Sequence, residues 1–216
     1  MEKIDHLNSK GNSQVRNMLS DLYGIFLKKF SDTQKSWDYF LEFIATDNSA
    51  EMIFQGEHNI KWLFDDKRFR DSVFSVYDSN LLKSIYYDHL GEFYFELIEK
   101  QQFEKTLPDK ILTQIKIQCN GQKKSVKVID LDMGTGRRLL AIHKLFPNTI
   151  LFGVTNDLNH FRIALTNSLL FGIKCYLLHA DKTKHELGLN NSRGLENWKH
   201  ANQWYNGIDK LLQNLN

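Results

Sequence analysis

Between residues 126 and 178 three short apolar runs, VKVIDL, ILFGV and CYLL, are each bounded by turn residues and separated by segments long enough for a helix. Parallel strands cannot be joined by a tight turn, so strand, helix, strand, helix, strand commits the chain to a parallel sheet with right-handed crossovers. No other feature of the sequence restricts the fold as much. The expected class is α/β: a partial doubly wound, Rossmann-like parallel sheet with a helical N-terminal region. The strands are expected at 126–131, 150–154 and 175–178.

Ahead of this the period changes from runs to helical spacing. Val15, Met18, Leu19, Leu22, Phe26 and Phe30 fall at three- and four-residue steps and predict a helix over 13–30 with one buried face. Trp37, Phe40, Leu41 and Ile44 repeat the pattern after SDTQ, and Leu82, Ile85, Tyr86, Leu90, Phe93 and Leu97 repeat it again. The charge-interrupted stretch NIKWLFDDKRFRDSVFSVYDS predicts short helices. With the shift of pattern after Asn120-Gly121, the chain divides into a helical N-terminal region, 1–105, and an α/β domain, 106–216. No repeat and no proline-rich linker separates them.

A chain of 216 residues, 42% hydrophobic, can bury one good core and carry a helical extension beside it. A net charge of +2 gives no strong electrostatic reason to expect nucleic-acid binding by this chain alone, so contact with DNA requires a local patch or a partner. The two cysteines, Cys119 and Cys175, form no ligand pair or disulfide framework and are expected as idle thiols in a reducing cytoplasm. The polar start MEKIDHLNSKGNSQ and the absence of any run near the ~20 apolar residues of a membrane helix predict a cytoplasmic protein without membrane attachment.

Asp130 closes the first run, and Gly134-Thr135-Gly136 follows it. Glycines there permit a tight turn and close backbone approach, and a helix starting near Arg137 presents free N–H groups at its positive end. Such an edge suits a polar or anionic ligand, while an ordinary strand-to-helix turn remains the competing reading. A dinucleotide fingerprint needs a third glycine where Leu139 stands, and a phosphate loop needs Gly-Lys-Ser/Thr where Gly136-Arg137-Arg138 stands, so neither is expected.

The ordered succession IDLDMGTGRRLL, FPNTILFGVTNDLNHFRIALTNSLLFGI and LLHAD resembles the S-adenosylmethionine-binding core of class I methyltransferases, and within them the DNA adenine-N6 methylases. YYDHLGEFYFELIEK and FEKTLPDKILTQI are similar to the lead-in helix and Thr-Pro motif that precede the first strand there. The resemblance, over roughly 85–185, implies that Asp130, Met133, Gly134, Thr135 and Gly136 surround the methionine part of the cofactor. It implies that Thr106 and Pro108 make the lead-in contact, with Leu107 between them, and that Asp181 meets the adenine amino group. Asp181 equally suits the cap of a following helix.

Two departures stand beside the resemblance. Thr155 occupies the end of the second strand, where the family has an acid holding both ribose hydroxyls, leaving Asn156 or Asp157 to substitute. The Asn/Asp-Pro-Pro-Tyr/Phe motif that receives the target base has no counterpart in a chain whose two prolines are Pro108 and Pro147. Asn202 and Tyr205 in ANQWYNG are the nearest catalytic candidates, although Trp198, Ala201 and Trp204 step like a packed helix. The implied function is an S-adenosylmethionine-binding methyltransferase-like protein related to DNA adenine-N6 methylation. The alternative is a catalytically inactive subunit that assembles with a DNA-modifying or restriction partner. Methyl transfer to a small molecule or a protein is a third reading. With no convincing strand after Leu178, either the sheet is short or a second subunit or a second copy completes it through a sheet edge. His179, Asp181 and His185 are read as scattered polar residues, so no metal is expected, and Arg137 and Arg138 as a solvated pair that could otherwise meet nucleic-acid phosphates or a cofactor carboxylate.

Overall fold

A computed structural model describes residues 2–49, 61–102, 126–173 and 175–179. The chain divides into two compact units, one of Met1–Phe103 with Leu169–Phe171, the other of Glu104–Ser168 with Gly172–Asn216.

In the first unit, helix α1 spans Glu2–Phe30, beginning well before the predicted start, and α2 spans Thr33–Ser49. Val15, Met18, Leu19, Leu22 and Phe26 are buried on one face of α1, as their spacing requires. Ser31 stops α1 in a left-handed conformation (φ 57), and Asp32 opens α2 by accepting the Lys35 N–H at 2.6 Å. Their shared core is aromatic: Tyr23 meets Phe40 edge-on at 5.6 Å and Phe26 meets Phe40 edge-on at 6.2 Å. Pairs of this geometry add roughly 0.5–1.5 kcal/mol each beyond area burial.

The short helices expected next are α3 (Lys61–Asp65) and α4 (Lys67–Val76), the second capped by Asp66. The following single helix is not found. Helix α5 (Ser79–Ser84) ends, Asp88 accepts the Gly91 N–H at 2.8 Å, and a new helix α6 (His89–Tyr94) runs into a π-helical turn at Phe95–Glu99. The apolar period continued across the break because Leu82, Leu90 and Phe93 are all buried, while the aspartate cap decided where the backbone restarted.

The second unit follows the predicted order: β1 (Lys127–Asp130), α7 (Arg137–Leu145), β2 (Ile150–Thr155), α8 (Leu158–Leu170) and β3 (Cys175–His179). The strands form a parallel sheet ordered β1-β2-β3, with Asp130 opposite Gly153 and Thr155 opposite His179. The fold is therefore mixed α/β around a parallel sheet, as expected. β1 lacks Val126 and Leu131, while β2 and β3 each gain the residue that completes their ladder. Central β2 is buried from Leu151 to Thr155, which is why its sequence is a continuous apolar run rather than an alternating one. Leu139, Leu140 and Ile142 of α7 and Ile163, Ala164 and Leu165 of α8 supply the buried helical side. Buried Cys175 has its thiol pushed up to about 12 by desolvation, which keeps it protonated and unreactive. Among the described residues no helix is long and apolar enough to cross a membrane.

Candidate functional site

The loop from Leu131 to Gly136 lies at the carboxyl end of β1, the edge where open parallel sheets receive ligands. Its shape is fixed from several sides. The Met133 N–H donates to the Val154 carbonyl at 2.9 Å, fastening the loop to β2, and the Gly136 N–H turns back to the Met133 carbonyl at 3.0 Å. From α8, the buried Asn167 amide donates to the Thr135 carbonyl at 3.2 Å.

The two glycines do different work within this frame. Both are left-handed, Gly134 at φ 54 and Gly136 at φ 83, a region that costs L side chains roughly 1–2 kcal/mol. At Gly136 a Cβ would stand 3.0 Å from the Ala164 Cβ and 3.2 Å from its Cα, so this glycine lets the loop rest on α8. At Gly134 a Cβ would meet nothing within 4 Å among the described residues. Gly134 is thus the point where the turn presents bare backbone to open space, the form a ligand cradle takes.

Met133 is 3% exposed, and its sulfur reaches the centre of β2, where a Cβ on Gly153 would overlap it and lie 2.8 Å from Leu139 Cδ1. Its side chain is thus part of the core beneath the loop, and what it offers a ligand is backbone. Thr135 is buried as well.

Asp130 and Arg138 form the charged part of the site. The Arg138 Nε donates to Asp130 Oδ2 at 2.7 Å and its Nη2 to Oδ1 at 3.0 Å, a two-pronged pair closed across the turn. The same Nη2 donates to the Asp132 carbonyl, and the Asp132 N–H donates to Asp130 Oδ1 at 3.2 Å. Reading the arginine pair as solvated surface is therefore incorrect for Arg138, whose partner eight residues earlier lies on another element.

At the end of β2, Thr155 is 4% exposed and its Oγ1 accepts the Asp157 N–H at 3.3 Å. Asp157 caps α8 by accepting the His160 N–H at 2.8 Å on Oδ1, and Asn156 is exposed, with its carbonyl 3.2 Å from His179 Nε2. A threonine there offers one hydroxyl where a carboxylate would accept two hydrogen bonds. Thr106, Pro108, Asp181, Asn202 and Tyr205 lie outside the described residues, as does His185.

Two participants escaped the sequence. Asn167 and Gly153 hold the loop from α8 and β2, and their only sequence signal is a polar residue and a glycine inside apolar elements. Arg138 was visible as a basic residue, but its pairing with Asp130 carries no periodic signal, because the contact depends on the turn folding back on itself.

No family model matches the sequence, and no curated protein matches it. Among solved structures the chain is similar to a proposed class I S-adenosylmethionine-dependent methyltransferase from Listeria monocytogenes, at 17% identity and a TM-score of 0.54. The match covers 82% of this chain and 55% of the neighbour, so the chain spans little more than half of that protein's length. The fold is accordingly the Rossmann-like fold of the class I methyltransferases.

Proposed function

We propose that the glycine turn between β1 and α7 holds S-adenosylmethionine and that the chain is a methyltransferase-like protein related to DNA adenine-N6 methylation. The observation that carries this reading is the turn itself: left-handed Gly134, open on its outer side, held in place by β2 and α8 at the carboxyl edge of a parallel sheet. The neighbour's fold supports the cofactor class, and the succession of motifs from IDLDMGTG to LLHAD supports the adenine-N6 subfamily.

The chain's residues fit the cofactor in kind. Asp130 offers an acceptor for an ammonium group, the Gly134 backbone can be approached closely, and Asp157 has its Oδ2 available at the end of β2. Thr106 and Pro108 would complete the methionine side and Asp181 the adenine side. Bound there, S-adenosylmethionine supplies an electrophilic methyl group. The protein's part is orientation: a turn whose donors are fixed before binding spends no energy rearranging. Asn202 and Tyr205 would receive the target adenine, the asparagine accepting from its amino group and the ring stacking on the base.

A second reading has an observation of its own. With Thr155 buried and bonded to the Asp157 N–H, the ribose position lacks the usual carboxylate, which favours an inactive subunit working beside a DNA-modifying partner, or joined to a second copy through the sheet edge. One assay separates the readings. The protein is incubated with methyl-labelled cofactor and unmethylated duplex DNA. Incorporation that Asn202→Ala abolishes supports an enzyme. Incorporation only after a co-purifying protein is added supports the subunit.

A further inference from the structure

Ala164 and Asn167 stand one helical turn apart on α8, so they share a face, and both meet the glycine turn. Ala164 is a floor: a Cβ on Gly136 would lie 3.0 Å from its own Cβ. Asn167 is a tie, because its side-chain amide, on a residue only 1% exposed, donates to the Thr135 carbonyl at 3.2 Å. A carbonyl only accepts, so the amide has one usable orientation there.

The residues beside it show that burial does not by itself demand such a reach. Thr166 and Ser168 are buried as deeply, and their hydroxyls donate to the Arg162 and Leu165 carbonyls of their own helix at 2.8 and 2.7 Å. Asn167 instead sends its donor to the turn. The peptide joining Thr135 to Gly136 is thereby held at both ends, its carbonyl by Asn167 and its N–H by the Met133 carbonyl at 3.0 Å. On the other side of Gly134, the Met133 N–H donates to the Val154 carbonyl at 2.9 Å. Gly134 therefore lies between one residue fastened to β2 and one fastened to α8. Glycine has more backbone freedom to lose than any other residue, and fastening both its neighbours removes much of that freedom before a ligand arrives.

Resting on the cofactor reading above, we infer that Asn167 is a positioning residue: by holding the Thr135 carbonyl from α8, it sets the open backbone of Gly134 in the form that receives S-adenosylmethionine. It acts through the turn and makes no contact with the ligand.

The test compares the full-length wild type with Asn167→Leu, which has a like shape and no donor, and with Thr166→Val, which removes a neighbouring buried hydroxyl that bonds within α8. Amide hydrogen exchange at Gly136 reads the turn, and calorimetric titration with S-adenosylhomocysteine reads the ligand. Without ligand, the Gly136 amide of Asn167→Leu is expected to exchange roughly tenfold faster than in the wild type, and to regain its protection at saturation. Affinity is expected to fall roughly fivefold to thirtyfold, the equivalent of ordering one residue's backbone on binding. Thr166→Val is expected to leave both readouts unchanged, whatever it does to thermal unfolding. A wild type that binds beside an Asn167→Leu of equal Gly136 protection, or of equal affinity, overturns the inference and leaves the cofactor reading standing. Thr166→Val moving both readouts as far also overturns it, since the effect is then a general loosening of α8. A wild type that does not bind overturns the cofactor reading and the inference together. Should Asn167→Leu not fold, Asn167→Ser, whose hydroxyl bonds within the helix as its neighbours' do, is read by the same outcomes.

Discussion

Replacing each glycine of the turn by alanine separates the seat of the loop from its open face. Both positions are left-handed, so alanine at either incurs roughly 1–2 kcal/mol of backbone strain. About 0.4–1 kcal/mol of this is returned because alanine restricts the unfolded chain more than glycine does. Gly134→Ala stops there, since its methyl meets nothing within 4 Å among the described residues, and its net cost is about 1 kcal/mol. Gly136→Ala must also place a methyl 3.0 Å from the Ala164 Cβ and 3.2 Å from the Ala164 Cα. The second of these is backbone of a packed helix, which cannot move without shifting the loop or α8. Overpacking of that kind costs roughly 1–3 kcal/mol, for a total near 2–4 kcal/mol. Urea unfolding followed by far-ultraviolet circular dichroism measures both, and the slopes must match for the midpoints to be compared. Gly136→Ala is expected to lose at least 1 kcal/mol more than Gly134→Ala. Equal losses, or the reverse order, would show that Gly136 does not seat the loop against α8 and would refute the reasoning.

Other substitutions probe the frame around the turn. Gly153→Ala would force its methyl against Met133 Sδ and Leu139 Cδ1, and a loss of about 1–3 kcal/mol in the same unfolding assay is expected, with weaker ligand binding because Met133 anchors the loop. Asp157→Asn keeps an acceptor for the His160 N–H and is expected to unfold like the wild type, whereas Asp157→Ala loses about 1 kcal/mol. If Asp157 also holds the ribose, Asp157→Asn binds the cofactor more weakly despite its intact stability, and unchanged affinity removes that role. Burial of His89 lowers its ring from the ordinary 6.5 to about 4, so the folded state takes up a proton less readily than the unfolded chain. Its contribution is full above pH 6.5 and declines as pH falls toward 4, by about 3 kcal/mol in all. Stability measured across that range is expected to depend less on pH in His89→Gln, and profiles of the same slope would contradict this.

What the sequence made legible follows from what each feature depends on. The parallel sheet could be read because β2 is buried on both faces, so ILFGV had to be continuously apolar and its crossovers had to be helices. Helices α1 and α2 were visible for the complementary reason, since each buries one stripe. The break between α5 and α6 was hidden because Leu82, Leu90 and Phe93 keep a helical period on both sides of it, while the decisive signal was one side chain, Asp88, accepting a single N–H. In the site, the glycine turn was legible from local backbone chemistry. Met133 was assigned to a ligand-lining set by resemblance, and its side chain instead fills the space that Gly153 leaves in β2, a relation between two elements that spacing does not encode. The Arg138–Asp130 pair was missed on the same ground, because a contact made by a loop folding over has no period. For Asn202, Tyr205, Asp181, Thr106 and Pro108 the sequence remains the sole guide.

The central claim is that the loop from Asp130 to Gly136 is a working cofactor cradle. Titration of the purified protein with S-adenosylmethionine, beside a Gly134→Leu variant, tests it most directly. The account predicts saturable binding by the wild type and none by the variant, whose larger side chain would fill the open side of the turn while the protein stays folded. No binding by the wild type, or equal binding by the two, would contradict it.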